Sequence, residues 1–146
     1  MFDFDGTLVD SMQGFADVAA DEITKAYGLP FHEARSAYLS TSGIPFFQQL
    51  ELLFPGRPMN AVIAAAFEER KLEGFFSDPF FDDVPTTLNY LRHKNIRMAV
   101  CSNNFQHNID KYIFTHDVPF DFVLGFRDGG FEKGKPHFDF IMAETG

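Results

Sequence analysis

The chain is short of cysteine, of positive charge and of long apolar runs, and each shortage excludes a class of protein. A single cysteine, Cys101, can form neither an intramolecular disulfide framework nor a cysteine-rich zinc site. Twelve Lys and Arg stand against 21 Asp and Glu, a formal charge of −9. That balance leaves no basic stripe to neutralise a nucleic-acid backbone. No apolar run reaches the roughly 20 residues a membrane-crossing helix needs, and the first residues lack the basic and apolar segments of a secretory signal. Internal repeats and low-complexity tracts are absent too. The expectation is a cytoplasmic protein in a reducing compartment, with neither nucleic acid nor membrane as partner and an oligomeric state that composition leaves open.

Aromatic bulk is plentiful. Twenty Phe residues and an apolar fraction of 45% in 146 residues are enough to build a hydrophobic core, which argues against disorder. The length allows one ordinary domain, or a core carrying a small insertion. Residues 1–9 read as the end of a strand that breaks at Gly6. Residues 12–78 then read as successive helices, punctuated by Gly28-Leu29-Pro30, Gly43-Ile44-Pro45 and Pro55-Gly56-Arg57-Pro58. From residue 86 the pattern is helix, strand at 96–102, helix, strand at 119–126 and a last helix, the alternation of a parallel α/β sheet. The predicted architecture is an α/β core formed by 1–13 and 80–146, with an all-helical segment, 14–79, inserted in it.

Chemistry concentrates at strand ends. In Asp3-Phe4-Asp5-Gly6-Thr7-Leu8-Val9-Asp10-Ser11, a carboxylate leaving the first strand can act as a nucleophile. A second carboxylate two residues on points to the same side of an extended chain and can serve as acid and base. Gly6 lets the backbone turn, and the amides of Gly6 and Thr7 can face an anion. The plain alternative is an Asp-Gly turn with a helix cap behind it. After the second strand, Ser102 and Asn103 offer a hydroxyl and an amide next to the start of a helix, where anions bind, although both are also ordinary capping residues. Lys135 in Gly134-Lys135-Pro136 opens the last helix, with Pro136 suited to its first turn. Lys133 lies close enough to compete with it. Cys101 reads as a packed apolar residue, and the five histidines, spaced unlike metal ligands, read as surface or core-edge residues.

The nine-residue segment beginning at Asp3, Cys101-Ser102-Asn103-Asn104 and Gly134-Lys135-Pro136 together resemble the signatures of the haloacid dehalogenase-like hydrolases, over nearly the whole chain. The resemblance implies a Rossmann-like three-layer core with a helical cap, similar to phosphoglycolate phosphatase and β-phosphoglucomutase. It implies a phosphatase of a small phosphorylated metabolite that works through an aspartyl-phosphate. Asp3 would be the nucleophile, Asp5 the acid/base, and Lys135 a neutralising cation. Gly6, Thr7, Ser102 and Asn103 would meet the phosphate, and Asp3 and Asp5 would hold magnesium, Mg2+. The sequence departs from that pattern at both ends, with only two residues before Asp3 and no Gly-Asp acidic motif before Gly146. Weak metal affinity and a marginal, incomplete sheet are the corresponding expectations. A phosphosugar mutase and an inactive phosphate-binding fragment are the rival readings.

Overall fold

Small and aromatic residues at helical spacing organise the first half of the chain. The structure, a computed structural model, describes residues 1–146. Two compact units emerge, Ser11–Ser77 and the discontinuous pair Met1–Asp10 with Asp78–Gly146. Their joins differ by two or three residues from 13/14 and 79/80.

In Ser11–Ser77 four helices follow one another: α1 Met12–Tyr27, α2 Phe31–Ser40, α3 Phe46–Leu53 and α4 Asn60–Phe75. α1 buries Phe15, Ala16, Ala19, Ala20 and Ile23, a spacing that places them on one face, and it packs on α2 and α4. Gly28 ends α1 in the left-handed conformation, φ 71°, with its N–H donating to the Thr24 carbonyl at 2.9 Å. The unit is centred on Phe67 of α4, whose ring lies 4.4 Å from Phe46, 5.9 Å from Tyr38 and 6.2 Å from Phe15, centroid to centroid. Arg70 ties α4 to α1 through Asp21, at 2.5 Å, and Glu22.

The other unit holds α5 Val84–His93, β1 Ala99–Phe105, α6 Gln106–His116, β2 Phe122–Phe126 and α7 Lys135–Thr145. β1 and β2 are parallel, so a crossover must join them, and α6 supplies it. The fold is therefore α/β, as the alternation of patterns predicts. Two strand expectations need correction. The strand at 96–102 is shifted, since β1 starts at Ala99 and runs through Phe105, taking in Ser102, Asn103 and Asn104. The segment 1–9 forms no named strand. It joins the ladder only at Phe2, which donates to the Ala99 carbonyl and accepts from the Cys101 amide, both at 2.8 Å. From Asp3 the chain turns in on itself, with Leu8 N–H and Val9 N–H both reaching the Phe4 carbonyl, at 2.9 and 3.1 Å.

The β1–β2 register positions everything that follows. Ala99, Val100 and Cys101 pair with Phe122, Val123 and Leu124, but the next pair is Phe105 with Phe126. Four steps along β1 thus match two along β2, a bulge that pushes Ser102–Asn104 out of the ladder and re-aims their side chains. Gly125 lies opposite. A Cβ there would meet Gln106 Cα at 2.6 Å and the Asn104 carbonyl oxygen at 2.9 Å, so only glycine fits. Beneath the first turn, buried Phe4 meets the Tyr112 ring edge-on at 5.1 Å, and the Tyr112 hydroxyl donates to the Asp78 carbonyl at 2.6 Å. No helix is long and apolar enough to cross a membrane.

Candidate active site

Asp3 and Asp5 leave the ladder on one turn and meet different partners. Asp3 Oδ1 accepts from the Phe4 N–H at 2.8 Å, and Oδ2 accepts from Lys133 Nζ at 2.7 Å. Asp5 Oδ2 accepts from Asn104 Nδ2 at 3.2 Å and, at the outer limit of a hydrogen bond, from Ser102 Oγ at 3.4 Å. Asn103 Oδ1 in turn accepts from the Lys133 N–H at 2.8 Å. One turn, one bulge and one loop therefore bring Asp3, Asp5, Ser102, Asn103, Asn104 and Lys133 together.

The lysine expected from sequence is corrected by this geometry. Lys135 is the first residue of α7, and helical spacing sends its side chain outward to Asp139, 2.5 Å away and one turn on, leaving it 83% exposed. Lys133 precedes the helix. Its backbone is anchored on Asn103, and Gly134, at φ 121°, lets the chain turn afterwards into α7. The Lys133 ammonium beside Asp3 is half-buried.

The turn amides are also more committed than expected. Gly6, at φ 74°, donates its N–H to the Val9 carbonyl at 2.9 Å, and Thr7 N–H points to the Phe4 carbonyl at 3.3 Å. Gly6 thus serves mainly to let the chain turn back on itself. Ser102 is 2% exposed and lies inside β1, not at a free helix start; its hydroxyl accepts from the Asn104 N–H at 3.0 Å while facing Asp5.

Three further residues escape a sequence reading. Asn104 and Asn108 are buried and linked, Asn108 Nδ2 donating to Asn104 Oδ1 at 3.1 Å. Their only sequence signal is an i, i+4 spacing of amides across the start of a helix. Gly125 supports the bulge, and a glycine within the apolar run Phe122–Phe126 is the trace that could have revealed it. His137, expected at the surface or core edge, is instead 1% exposed, with Nε2 3.2 Å from the Gly125 carbonyl. Burial lowers its pKa, partly opposed by that carbonyl. Cys101 is packed in β1, and burial pushes its thiol pKa up, away from reactivity.

Oxygen donors dominate the site, a chemistry suited to a hard cation, although no three His, Cys, Asp or Glu side chains converge anywhere in the structure. Chemically, the arrangement offers a carboxylate beside a cation, a second carboxylate held by hydroxyl and amide donors, and no competing thiol or imidazole.

Solved structures share this fold. The chain superimposes with a TM-score of 0.79 on a protein described as a haloacid dehalogenase-like hydrolase from Bacteroides fragilis, at 19% identity, covering 98% of this chain and 70% of that one. A phosphoglycolate phosphatase, so described, from Lactobacillus plantarum gives 0.74 at 16% identity, over 99% and 69% of the two chains. CbbY from Rhodobacter sphaeroides, solved as a mutant in complex with xylulose-1,5-bisphosphate, gives 0.67 at 18% identity, over 98% and 69%. No curated protein matches the chain. The family profile described as haloacid dehalogenase-like hydrolase matches residues 1–144, all but the last two residues, and with the carboxylate turn, the bulge and the loop lysine in place the chain belongs to that family of enzymes.

Proposed function

We propose that the chain hydrolyses a phosphate monoester of a small metabolite through an aspartyl-phosphate, with Asp3 as nucleophile. The observation that carries this reading is the Lys133 ammonium 2.7 Å from Asp3 Oδ2. A cation there offsets negative charge gathering on the phosphoryl oxygens. In the first step an Asp3 oxygen bonds to phosphorus while the ester P–O bond breaks, and the Asp5 carboxyl gives its proton to the departing alkoxide. In the second, Asp5 takes a proton from water as that water attacks phosphorus, and inorganic phosphate leaves with Asp3 restored. Ser102 and Asn103, on the bulge, would donate to phosphate oxygens, Ser102 exchanging its contact with Asp5 for one with phosphate.

Magnesium fits this donor set. Mg2+ is commonly bound by one or two carboxylates together with water and substrate phosphate, and the Asp3 carboxylate and the Asp5 backbone carbonyl would provide the protein's share, leaving the Asp5 carboxyl free for proton transfer. Its contribution would be to neutralise phosphate charge in an otherwise acidic chain. The substrate class draws support from the descriptions of two structural neighbours, one a phosphoglycolate phosphatase and one carrying a sugar bisphosphate. A lone, buried cysteine suits a reducing cytoplasm.

The test is hydrolysis of p-nitrophenyl phosphate by the folded chain, with and without Mg2+, beside Asp3→Asn. Metal-dependent turnover that falls by about 10³-fold or more in the variant is the expected result. A folded wild-type chain without turnover, or a variant as active as wild type, would sink the reading.

A further inference from the structure

The two buried asparagines have no part in the chemistry just described, yet one of them holds the acid/base. Asn104 is 7% exposed and Asn108 2%. Burying amides in an apolar unit is unfavourable unless their hydrogen bonds are made, so their placement calls for a reason.

The orientation of the Asn104 amide follows from its partners. The Phe105 backbone N–H, which can only donate, lies 2.9 Å from one amide atom of Asn104, and that atom must therefore be the oxygen. Asn108 Nδ2 donates to the same oxygen from the first turn of α6. With its oxygen fixed by two donors, Asn104 must turn its NH2 the other way, onto Asp5 Oδ2 at 3.2 Å. The Asn104 backbone is fixed as well, its N–H bonded to Ser102 Oγ within the bulge. Asp5 is thus gripped by a donor that has no freedom to flip.

We infer that Asn104, locked by Asn108, is a positioning residue that sets the side-chain rotamer of Asp5 by holding Oδ2, so that the carboxyl is already aimed for proton transfer when substrate binds. The inference rests on the proposed role of Asp5 as acid/base. A general acid misplaced by an ångström loses much of its effect, because proton transfer requires hydrogen-bond reach to the leaving oxygen. The charged groups around Asp5 are Asp3 and Lys133, already paired with each other, and Tyr112 from α6, whose hydroxyl burial keeps neutral. Ser102 Oγ also donates to Asp5 Oδ2, at 3.4 Å against 3.2 Å for Asn104 Nδ2.

The experiment compares two esters that differ in their need for an acid. p-Nitrophenolate leaves without protonation, whereas the alkoxide of an alkyl phosphate does not. Asn104→Asp keeps the size and the acceptor oxygen but replaces the donor to Asp5 with a second carboxylate, and Asn108→Leu, which adds no charge, controls for the repulsion. The expected kcat/KM of Asn104→Asp, which reports the first step, where the leaving group departs, and not the second, in which Asp5 is base for both esters, falls about 10- to 100-fold on an alkyl phosphate and less than about 3-fold on p-nitrophenyl phosphate, a part of the 10²–10⁴ that general acid catalysis supplies. Asn108→Leu, one step removed, should show the same selectivity at smaller size and decides the matter if Asn104→Asp does not fold. An equal loss on both esters, or none, in a folded variant overturns the inference. A second readout is independent of turnover: the NMR side-chain couplings of Asp5 in the unliganded protein should report one χ1 rotamer in wild type and averaging in Asn104→Asp. Averaging already present in wild type overturns the inference too. Wild-type protein that turns over neither ester yet shows a single Asp5 rotamer, lost in the variant, would sink the proposed reaction and leave the grip of Asn104 on Asp5 standing.

Discussion

The two units of this chain each bury four polar residues, and they differ in what those residues hold. Ser11–Ser77 is organised around tilted and edge-on rings, and its buried Gln49 and Asn60 tie the helices and the turns between them through hydrogen bonds to Thr41, Glu51 and backbone carbonyls. The α/β unit buries Ser102, Asn104, Asn108 and His137 in its interior and connects them largely by hydrogen bonds. Ring burial is non-directional and gives stability without specifying where any polar atom points. A hydrogen-bonded interior is costlier to assemble but fixes orientation, which is what a reacting carboxylate requires. The same chain thus uses buried hydrogen bonds to join helices in one unit and to hold a carboxylate in the other.

The contrast can be broken at its apolar end first. Phe67→Ala removes the ring at the centre of the helical unit and should destabilise the protein by about 3–5 kcal/mol, read by urea denaturation. A loss below about 1 kcal/mol would mean that the rings do not carry that unit.

At the polar end, Lys133→Met should lower turnover of an aryl phosphate by about 10²-fold, roughly 2.7 kcal/mol in the transition state, whereas Lys135→Met should stay within about 2-fold. The reverse ranking would return the site lysine to the helix start. Gly125→Ala probes the bulge directly. The added methyl must push α6 from β2, costing about 1–3 kcal/mol in the melt and lowering turnover with it. A neutral outcome would show a bulge more yielding than its 2.6 Å clearance implies.

The smallest effect is a pH slope. Burial depresses the His137 pKa in the folded chain below its ordinary 6.5. Between those two values the unfolded chain binds the extra proton, so stability is complete above about pH 6.5 and declines as pH falls toward the folded value. Denaturation midpoints measured from pH 7 down to pH 5 should therefore drop less in His137→Phe than in wild type. Equal slopes would remove His137 from the acid sensitivity of the α/β unit.

Much of the fold was legible in the residues themselves. Helical spacing in α1 and α4, Gly28 at a helix end, and a helix alternating with apolar runs after residue 84 all express local preferences. Asp3, Asp5 and Ser102 were legible for a related reason: short motifs at strand ends are local objects. The first strand was over-read because Asp3-Phe4-Asp5 looks extended, whereas the Phe4 carbonyl gathers the amides of Leu8 and Val9 and closes a turn. His137 was misplaced because a histidine in an amphipathic stretch carries no sign of whether Phe131 and Gly125 will close over it.

By itself the sequence determined the family, the α/β alternation, the helical insertion and the pair of carboxylates, because each is written in neighbouring residues. Tertiary structure alone decided which lysine reaches Asp3, which asparagine grips Asp5, and why position 125 must be glycine. Lys133 and Lys135 are two residues apart and chemically identical, so only the start of α7 separates them: one side chain is drawn along the helix to Asp139, and the other remains on a loop that Asn103 holds beside Asp3.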